Sequence, residues 1–146
     1  MTTSEQALDQ CRRHLHYLCD ASRRIPWPLT AEQMASPVDE LVAALDQFAF
    51  RFSRLQDTLG QKAFRAVLVG KLREPCEDSP MRDLLDRLER LRLLPSAERW
   101  EEIRAVRNAL VHDYPDTPAQ RAARLNLAQP MIEEMSVILE SLAAVI

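Results

Sequence analysis

The sequence predicts an all-α fold, a single-domain helical bundle of about five to six helices, and three observations support this prediction. Only 2 of the 146 residues are glycine, which disfavours a turn-rich β fold. Alanine, leucine, glutamate, glutamine and arginine are abundant, and these residues favour helices. Apolar residues recur at three- and four-residue spacing over most of the chain. Residues 1–146 are expected to form one domain, long enough to bury a core.

The N-terminal segment is expected to contain one long helix followed by a proline-rich break. The helix should run from about Ser4 to Arg24. Its apolar stripe consists of leucines: Leu8, Leu15 and Leu18. The segment Ile25–Pro28 should end it, because two prolines do not fit in a helix interior. Thr30–Gln33 has the pattern of a capping box and predicts a short turn of helix.

A long amphipathic helix is predicted next. Ser36 followed by Pro37 is typical of an N-cap with proline at the first helical position. The apolar face of this helix is formed by residues three and four apart: Leu41, Leu45, Phe48, Phe52, Leu55 and Leu59. Gly60 is expected to end or bend the helix. The same apolar pattern continues beyond it at Phe64, Val67 and Leu68.

Three more helices are predicted in the second half of the chain. Ser79 and Pro80 indicate the start of a helix whose leucines extend to Leu94 and which Pro95 ends. Ser96 caps the following helix, which should end before a second proline, Pro115.

The last predicted helix opens at Thr117 and Pro118 and runs toward Ile146, with a kink expected at Pro130. The chain contains no internal repeat and no low-complexity segment, which agrees with a single domain.

Charge and cysteine content narrow the functional classes. The net charge is −3, so no overall positive field attracts nucleic acid. Of the 19 basic residues, all but Lys62 and Lys71 are arginines, which reflects either a GC-rich genome or repeated recognition of phosphate or carboxylate. The cysteines (Cys11, Cys19 and Cys76) have no zinc-site spacing and are odd in number, which argues against a disulfide framework. With no targeting or membrane-spanning segment, we expect a cytoplasmic protein that does not contact a membrane.

The segment from Arg107 to Tyr114 is the strongest candidate for chemistry. It places a guanidinium, the Asn108 carboxamide, the His112 imidazole and a phenol within eight residues. Arginine binds phosphate through two parallel hydrogen bonds, and histidine exchanges protons near neutral pH. This combination suits cleavage of a phosphodiester without a metal or another cofactor.

Helical geometry divides these side chains between two faces. Arg107 flanks the buried stripe expected for this helix, so it should require a carboxylate or a ligand as partner. Asn108 and His112, four residues apart, should share a different face. An ideal helix separates Arg107 from His112 by roughly 140°. Joint action therefore requires a distorted helix end, the long reach of arginine or a second subunit. Alternatively, Arg107 only pairs with a carboxylate, His112 is solvated and Tyr114 lies at the edge of the core.

The segment Arg107–Tyr114 resembles the R-x4-H-x-Y motif of the HEPN superfamily (higher eukaryotes and prokaryotes nucleotide-binding), in its HepT-like branch. The order of Arg51–Gly60, a leucine-rich helix and then Trp100 also resembles small prokaryotic members. The similarity covers about residues 38–146, whereas residues 1–37 resemble the family only as a first helix and a proline-rich loop. The resemblance implies a dimeric helical bundle that cleaves RNA without a metal, often as the toxin of a toxin–antitoxin pair.

The resemblance also implies roles for individual residues. Arg107 would hold and neutralise the scissile phosphate, and His112 would act as general acid or base on the 2′-hydroxyl of RNA or on the leaving 5′-oxygen. Asn108 matches the polar residue that often follows the arginine. Separately from the resemblance, the overall acidity of the chain means that RNA would need a local arginine groove, such as one formed by Arg104 and Arg107 of two subunits. Tyr114 matches the tyrosine that a nucleotidyltransferase antitoxin adenylylates in this branch. An adenylate there would place negative charge beside Arg107 and exclude RNA.

Three further residues, Arg51, Arg54 and Asp57, are candidates for the same groove, or else form a salt-bridge network on a helix surface. Two other functional classes remain open at this point. The chain is either a non-catalytic module that binds a nucleotide or a nucleotidyltransferase partner, or a purely structural helical protein.

Overall fold

Seven α-helices occupy the residues that the computed structural model describes, which are 1–112 and 116–146. In chain order they are α1 (Thr3–Arg23), α2 (Ala31–Ala35), α3 (Asp39–Thr58), α4 (Met81–Arg90), α5 (Ala97–Val111), α6 (Pro118–Ala128) and α7 (Met131–Ala143). Two π-helical segments, Leu59–Ala63 and Ala66–Lys71, continue α3. The predicted all-α fold in a single domain is confirmed, and the count exceeds the predicted five to six because the C-terminal segment forms two helices. No helix in these two ranges is both long and apolar enough to cross a membrane.

The centre of the bundle is formed by α1 and α3, which pack along each other. Their facing side chains are fully buried and apolar, among them Leu8, Leu18, Phe48, Phe52 and Leu55. α5 packs on α3, while α6 covers α2 and α5 and α7 packs against α1. The residues that the periodicity assigned to the apolar face of α3 do pack on the core, with Leu45 only partly buried, while polar residues of the same helix such as Asp46 and Arg54 are exposed.

The start of α3 differs from the prediction. Ser36 is the C-cap of α2, because its N–H donates to the carbonyl oxygen of Glu32, so it does not cap α3. Pro37 lies in the connection, and Val38 precedes the first helical residue without a side-chain cap. The Ser-Pro pattern was misassigned because a serine between two helices fits either terminus, and only the tertiary structure decides which.

Gly60 neither ends the helix nor introduces a break. It lies in the first π-helical segment, where a Cβ atom would stand 3.3 Å from Cζ2 of Trp100. The wider π-helical turn and the absence of a side chain let the indole approach the backbone closely. The Trp100 ring also packs on Phe64, with 4.8 Å between ring centroids. Gly60 is therefore a contact point between the first π-helical segment and α5.

α4 ends earlier than the leucine pattern predicts, at Arg90 and not at Pro95. Arg92 adopts a left-handed backbone conformation (φ 61°), which reverses the chain. The N–H of Leu94 then donates to the carbonyl oxygen of Leu88 at 3.3 Å. Leu94 stays buried, so the apolar spacing continues past the helix end and does not locate it.

The C-terminal segment forms two helices where one kinked helix was expected. Thr117 caps α6 in a capping box with Gln120, and Pro118 is its first residue, as predicted. α6 ends at Ala128, and Pro130 directly precedes α7. Pro130 has no N–H to donate to the preceding turn, which separates the two helices although Gln129 and Pro130 both keep right-handed helical backbone angles.

An ion pair fixes α5, the helix with the candidate motif, against α7. Nε of Arg99 donates to Oε1 of Glu134 at 2.7 Å, and Nη2 donates to Oε2 at 2.8 Å. The Arg99 hydrogen bonds hold the pKa of Glu134 below its ordinary value, although partial burial acts in the opposite direction. This two-point contact joins the first turn of α5 to α7, while the buried Trp100 and Ile103 determine which face of α5 points to the core.

Candidate functional site

The motif lies in the last turns of α5 and just beyond its end. Ser96 caps the helix, with its hydroxyl accepting from the N–H of Arg99 at 3.0 Å. The helix ends at Val111, and His112 leaves it with extended backbone angles (φ −99°, ψ 138°). The His112 N–H still donates to the carbonyl oxygen of Asn108 at 3.2 Å. The helix thus ends before Pro115, as the sequence predicts, and His112 is the residue at which the direction changes.

Arg107 meets the expected carboxylate, which belongs to Asp57 of α3. Nη2 of Arg107 donates to Oδ2 of Asp57 at 2.8 Å, and Nη1 donates to Oδ1 of Asn108 at 3.2 Å. Both side chains of the ion pair are 25% exposed. Nε of Arg107 is buried, and no atom of the described residues accepts its hydrogen. Both terminal nitrogens of this guanidinium therefore donate a hydrogen bond, whereas the buried Nε lacks an acceptor among the described residues.

A small polar pocket of about 190 Å³ surrounds this guanidinium. Its lining residues come from α3, the first π-helical segment, α4 and α5: Gln56, Asp57, Gly60, Gln61, Met81, Trp100, Arg104, Arg107 and Asn108. The floor is the contact of Gly60 with Trp100, so the π-helical turn shapes the pocket as well as the core. π-helical turns are frequent at functional sites for this reason.

His112 lies in a different groove, of about 450 Å³, between α2, α3, α5 and α6. The basic residues in this groove are engaged with the protein itself. Arg124 pairs with Asp116, and Nη2 of Arg121 donates to the carbonyl oxygen of Met34 at 3.0 Å. Leu45 and Leu110 supply the apolar part of the lining.

Among residues 1–112 and 116–146, Arg107 and His112 line two different pockets of the chain. This agrees with the angular separation that an ideal helix predicts for them. Asn108 was predicted to share a face with His112, and this prediction is wrong. Asn108 lines the Arg107 pocket, whereas His112 lines the other groove. The reason is local: His112 lies beyond the helix end, so helical spacing no longer relates it to Asn108.

The remaining candidates divide between the pocket and the surface beside it. Arg104 lines the Arg107 pocket and is exposed, with Nη1 donating to Oε2 of Glu101 at 3.3 Å. Asp57 contacts Arg107 directly. Arg54 is exposed on α3 and does not line that pocket. Arg51 lies nearer the start of α3, and its guanidinium contacts α1. Arg51, Arg54 and Asp57 therefore do not form one salt-bridge network.

Arg51 contacts residues that the sequence did not single out. Its Nη1 lies 3.0 Å from Nδ1 of His14, and its guanidinium lies over the ring of Tyr17, 4.6 Å from the centroid. Burial, followed by the charges of Arg51 and Arg54, lowers the pKa of His14 below its ordinary value. A signal for this cluster was present in the interleaved basic and aromatic residues Arg12–Tyr17.

Tyr114, the candidate modification site, lies outside the described residues. Within residues 1–112 and 116–146, no group of three or more His, Cys, Asp or Glu side chains is arranged to hold a metal ion. Comparisons with protein-family models, with curated proteins and with solved structures give no match to this chain.

Proposed function

We propose that this chain is a metal-independent endoribonuclease of the HEPN type and the toxin of a toxin–antitoxin pair. The observation that supports this best is the buried Nε donor of Arg107 in a polar pocket. An unsatisfied buried donor costs about 1–3 kcal/mol, so a half-buried arginine is a poor choice for stability alone. A phosphate that binds beside Arg107 and displaces the side chains covering Nε would provide the missing acceptor, and a second oxygen on Nη would make the guanidinium a bidentate clamp.

The proposed reaction is transesterification followed by release of a 5′-hydroxyl. A general base removes the proton of the ribose 2′-hydroxyl, and the 2′-oxygen forms a bond to phosphorus. The bond from phosphorus to the 5′-oxygen breaks, and a general acid protonates the leaving oxygen. His112 serves as base or acid, and Arg107 neutralises the charge that develops on the phosphoryl oxygens. The products are a 2′,3′-cyclic phosphate and a 5′-hydroxyl.

This chemistry requires a homodimer in which His112 of one protomer faces the Arg107 pocket of the other. Two observations support such an arrangement. The two side chains line different pockets of one protomer, so a single copy offers only half of the machinery in each. Between them α5 presents small or exposed residues, Ala105, Ala109 and Val111, which allow a second helix to approach closely. A two-fold axis would create two equivalent sites.

Supporting roles follow from the geometry of the pocket. Asn108 holds Nη1 of Arg107, and Asp57 holds Nη2, so both orient the guanidinium. Arg104 lines the rim and supplies a second positive charge for an RNA phosphate. A nucleotidyltransferase-type antitoxin that adenylylates Tyr114 would block the site by adding negative charge next to the motif.

The separation of Arg107 and His112 in one protomer also favours a second candidate function. In this alternative the chain is a non-catalytic helical module that binds a nucleotide or a nucleotidyltransferase partner. Arg107 then binds a phosphate without cleaving it, and His112 takes no part.

Incubation of the purified protein with single-stranded RNA distinguishes the two candidates. The nuclease proposal predicts fragments that end in a 2′,3′-cyclic phosphate, and loss of cleavage by at least 100-fold in Arg107→Ala and in His112→Ala. Arg90→Ala, which removes an exposed arginine of α4, is the control and should cleave like wild type. Binding of a nucleotide without cleavage by any variant would support the non-catalytic module.

A further inference from the structure

A basic and aromatic surface lies where α1 meets α3, outside both pockets described above. We call it the Arg51 patch. It consists of two aromatic residues and four cations: Tyr17, Phe50, Arg13, Arg51, Arg54 and Lys62. The guanidinium of Arg51 is its centre, 4.6 Å from the Tyr17 ring centroid and 5.3 Å from that of Phe50.

The cations of the patch keep their charge available. In the described part of the chain, none of the four forms an ion pair with a carboxylate. The nearby acids of α1 are paired elsewhere, Asp9 with Arg12 at 3.2 Å and Asp20 with Arg23 at 3.7 Å. In a chain with a net charge of −3, a group of uncompensated cations is a local exception.

His14 holds the centre of the patch without neutralising it. Its Nδ1 lies 3.0 Å from Nη1 of Arg51, so the ring accepts a hydrogen bond from the guanidinium. Burial and the surrounding cations lower the pKa of His14, and a neutral imidazole is a suitable acceptor for a cation. Arg51 is thereby fixed in orientation while its full charge remains.

The aromatic rings are exposed to an unusual degree. Phe50 is 55% exposed and Tyr17 is 41% exposed, although both lie beside the charged groups. Rings at this position do not contribute much to the core, but they offer faces on which a base can stack. Cations that track a phosphate backbone, together with aromatic rings for the bases, are the combination that single-stranded nucleic acid binds.

We propose that the Arg51 patch binds single-stranded RNA beside the Arg107 pocket. The choice of RNA rests on the proposed function, whereas the surface is defined by contacts that involve neither Arg107 nor His112. Arg54 connects the two regions, since it lies one helical turn from Arg51 and one from Asp57. Arg51 and Asp57 are about 9 Å apart along the axis of α3 and about 120° apart around it, with Arg54 between them, so a strand would follow Arg54 around the helix from the patch to the pocket.

The test measures binding separately from cleavage. The full chain with His112→Ala is titrated against a fluorescein-labelled oligouridylate, and the dissociation constant is measured by anisotropy at several salt concentrations. Phe50→Ala should weaken binding by about tenfold, because one stacking contact is lost. Arg54→Ala and Lys62→Ala should each reduce the slope of log affinity against log salt by about 0.7. Double-stranded RNA should bind more weakly, since its bases are not free to stack.

Matched controls remove residues of the same type elsewhere. Leu127→Ala deletes an apolar side chain that is 60% exposed on α6, and Arg90→Ala deletes an exposed arginine of α4. Both controls should bind RNA like the parent. The sedimentation coefficient of each variant is measured as well, to show whether Phe50 contacts a second copy.

Three results would overturn the inference. The first is the absence of RNA binding by the parent, or equal binding by the patch variants and the controls. The second is that polyglutamate displaces the labelled RNA as well as unlabelled oligouridylate does, while Phe50→Ala leaves the RNA affinity unchanged. That result would indicate an acidic protein partner. The third is a dimer that becomes a monomer in Phe50→Ala with unchanged RNA affinity. Loss of binding in the patch variants supports the inference even if no variant cleaves RNA, in which case only the proposed function fails.

Discussion

Replacing Arg107 with methionine should cost less stability than replacing its partner Asp57 with alanine. The reason is the unequal state of the guanidinium donors. The ion pair joins Nη2 to Oδ2 at 2.8 Å, but both side chains are 25% exposed, so solvent screening limits its contribution to about 1 kcal/mol. The buried Nε has no acceptor among the described residues, and such a donor costs about 1 kcal/mol or more. Arg107→Met removes both, and the Asp57 carboxylate that it leaves unpaired is partly exposed to water, so we expect a net loss of at most about 1 kcal/mol.

Asp57→Ala has the opposite balance. It removes the ion pair, leaves a second donor of Arg107 without a partner and keeps the orphaned Nε. We expect a loss of about 2 kcal/mol in the free energy of unfolding, which corresponds to about 4–8 °C in Tm for a domain of this size. The double variant should show a coupling of about 1 kcal/mol between the two sites.

The assay is urea denaturation followed by far-ultraviolet circular dichroism, with equal m values required of all variants. Asp46→Ala, which removes an exposed aspartate of the same helix, corrects for the higher helix propensity of alanine. If Arg107→Met proved more destabilising than Asp57→Ala, Arg107 would be a structural residue. The link from its unsatisfied donor to ligand binding would then be lost.

Two further predictions concern the surroundings of the pocket. Gly60→Ala places a Cβ atom 3.3 Å from Trp100, which is held by the core and is 2% exposed, so we expect a loss of about 1 kcal/mol and altered tryptophan fluorescence. Gly70→Ala meets no atom within 4 Å and should be neutral or slightly stabilising; equal effects of the two would refute the close contact. Arg99 lowers the pKa of Glu134 in the folded state. The ion pair between them therefore stabilises the fold above pH 4.5, the ordinary pKa of Glu134, and this stabilisation declines as the pH falls below 4.5. Glu134→Gln should therefore flatten stability against pH in acid, and an unchanged acid limb would contradict this assignment.

The sequence predicts the fold well wherever the signal is local. The caps at Thr30, Ser96 and Thr117 are all found, because a side chain that caps a helix needs only its neighbours. The errors arise where tertiary contacts decide. Ser36 caps the end of α2 and not the start of α3, and Gly60 continues a helix through π-helical turns because Trp100 packs against it.

The candidate site was predictable only in part, for the same reason. The position of Arg107 beside the buried stripe correctly predicts a carboxylate partner, but Asp57 is fifty residues away and only the packing of α3 on α5 identifies it. The pairing of Asn108 with His112 failed because helical spacing does not extend past a helix end. The Arg51 patch was missed because His14 and Arg51 meet across two helices.

Complementation between inactive variants tests the central claim, a site shared by two protomers, most directly. Purified Arg107→Ala and His112→Ala proteins are mixed, dissociated and reassociated, and RNA cleavage is measured. In a mixed dimer, one site combines the intact Arg107 of one chain with the intact His112 of the other. Random reassociation makes about half of the dimers mixed, and each mixed dimer has one intact site out of two. About a quarter of wild-type activity should therefore return. Activity no higher than that of either variant alone would contradict the shared site.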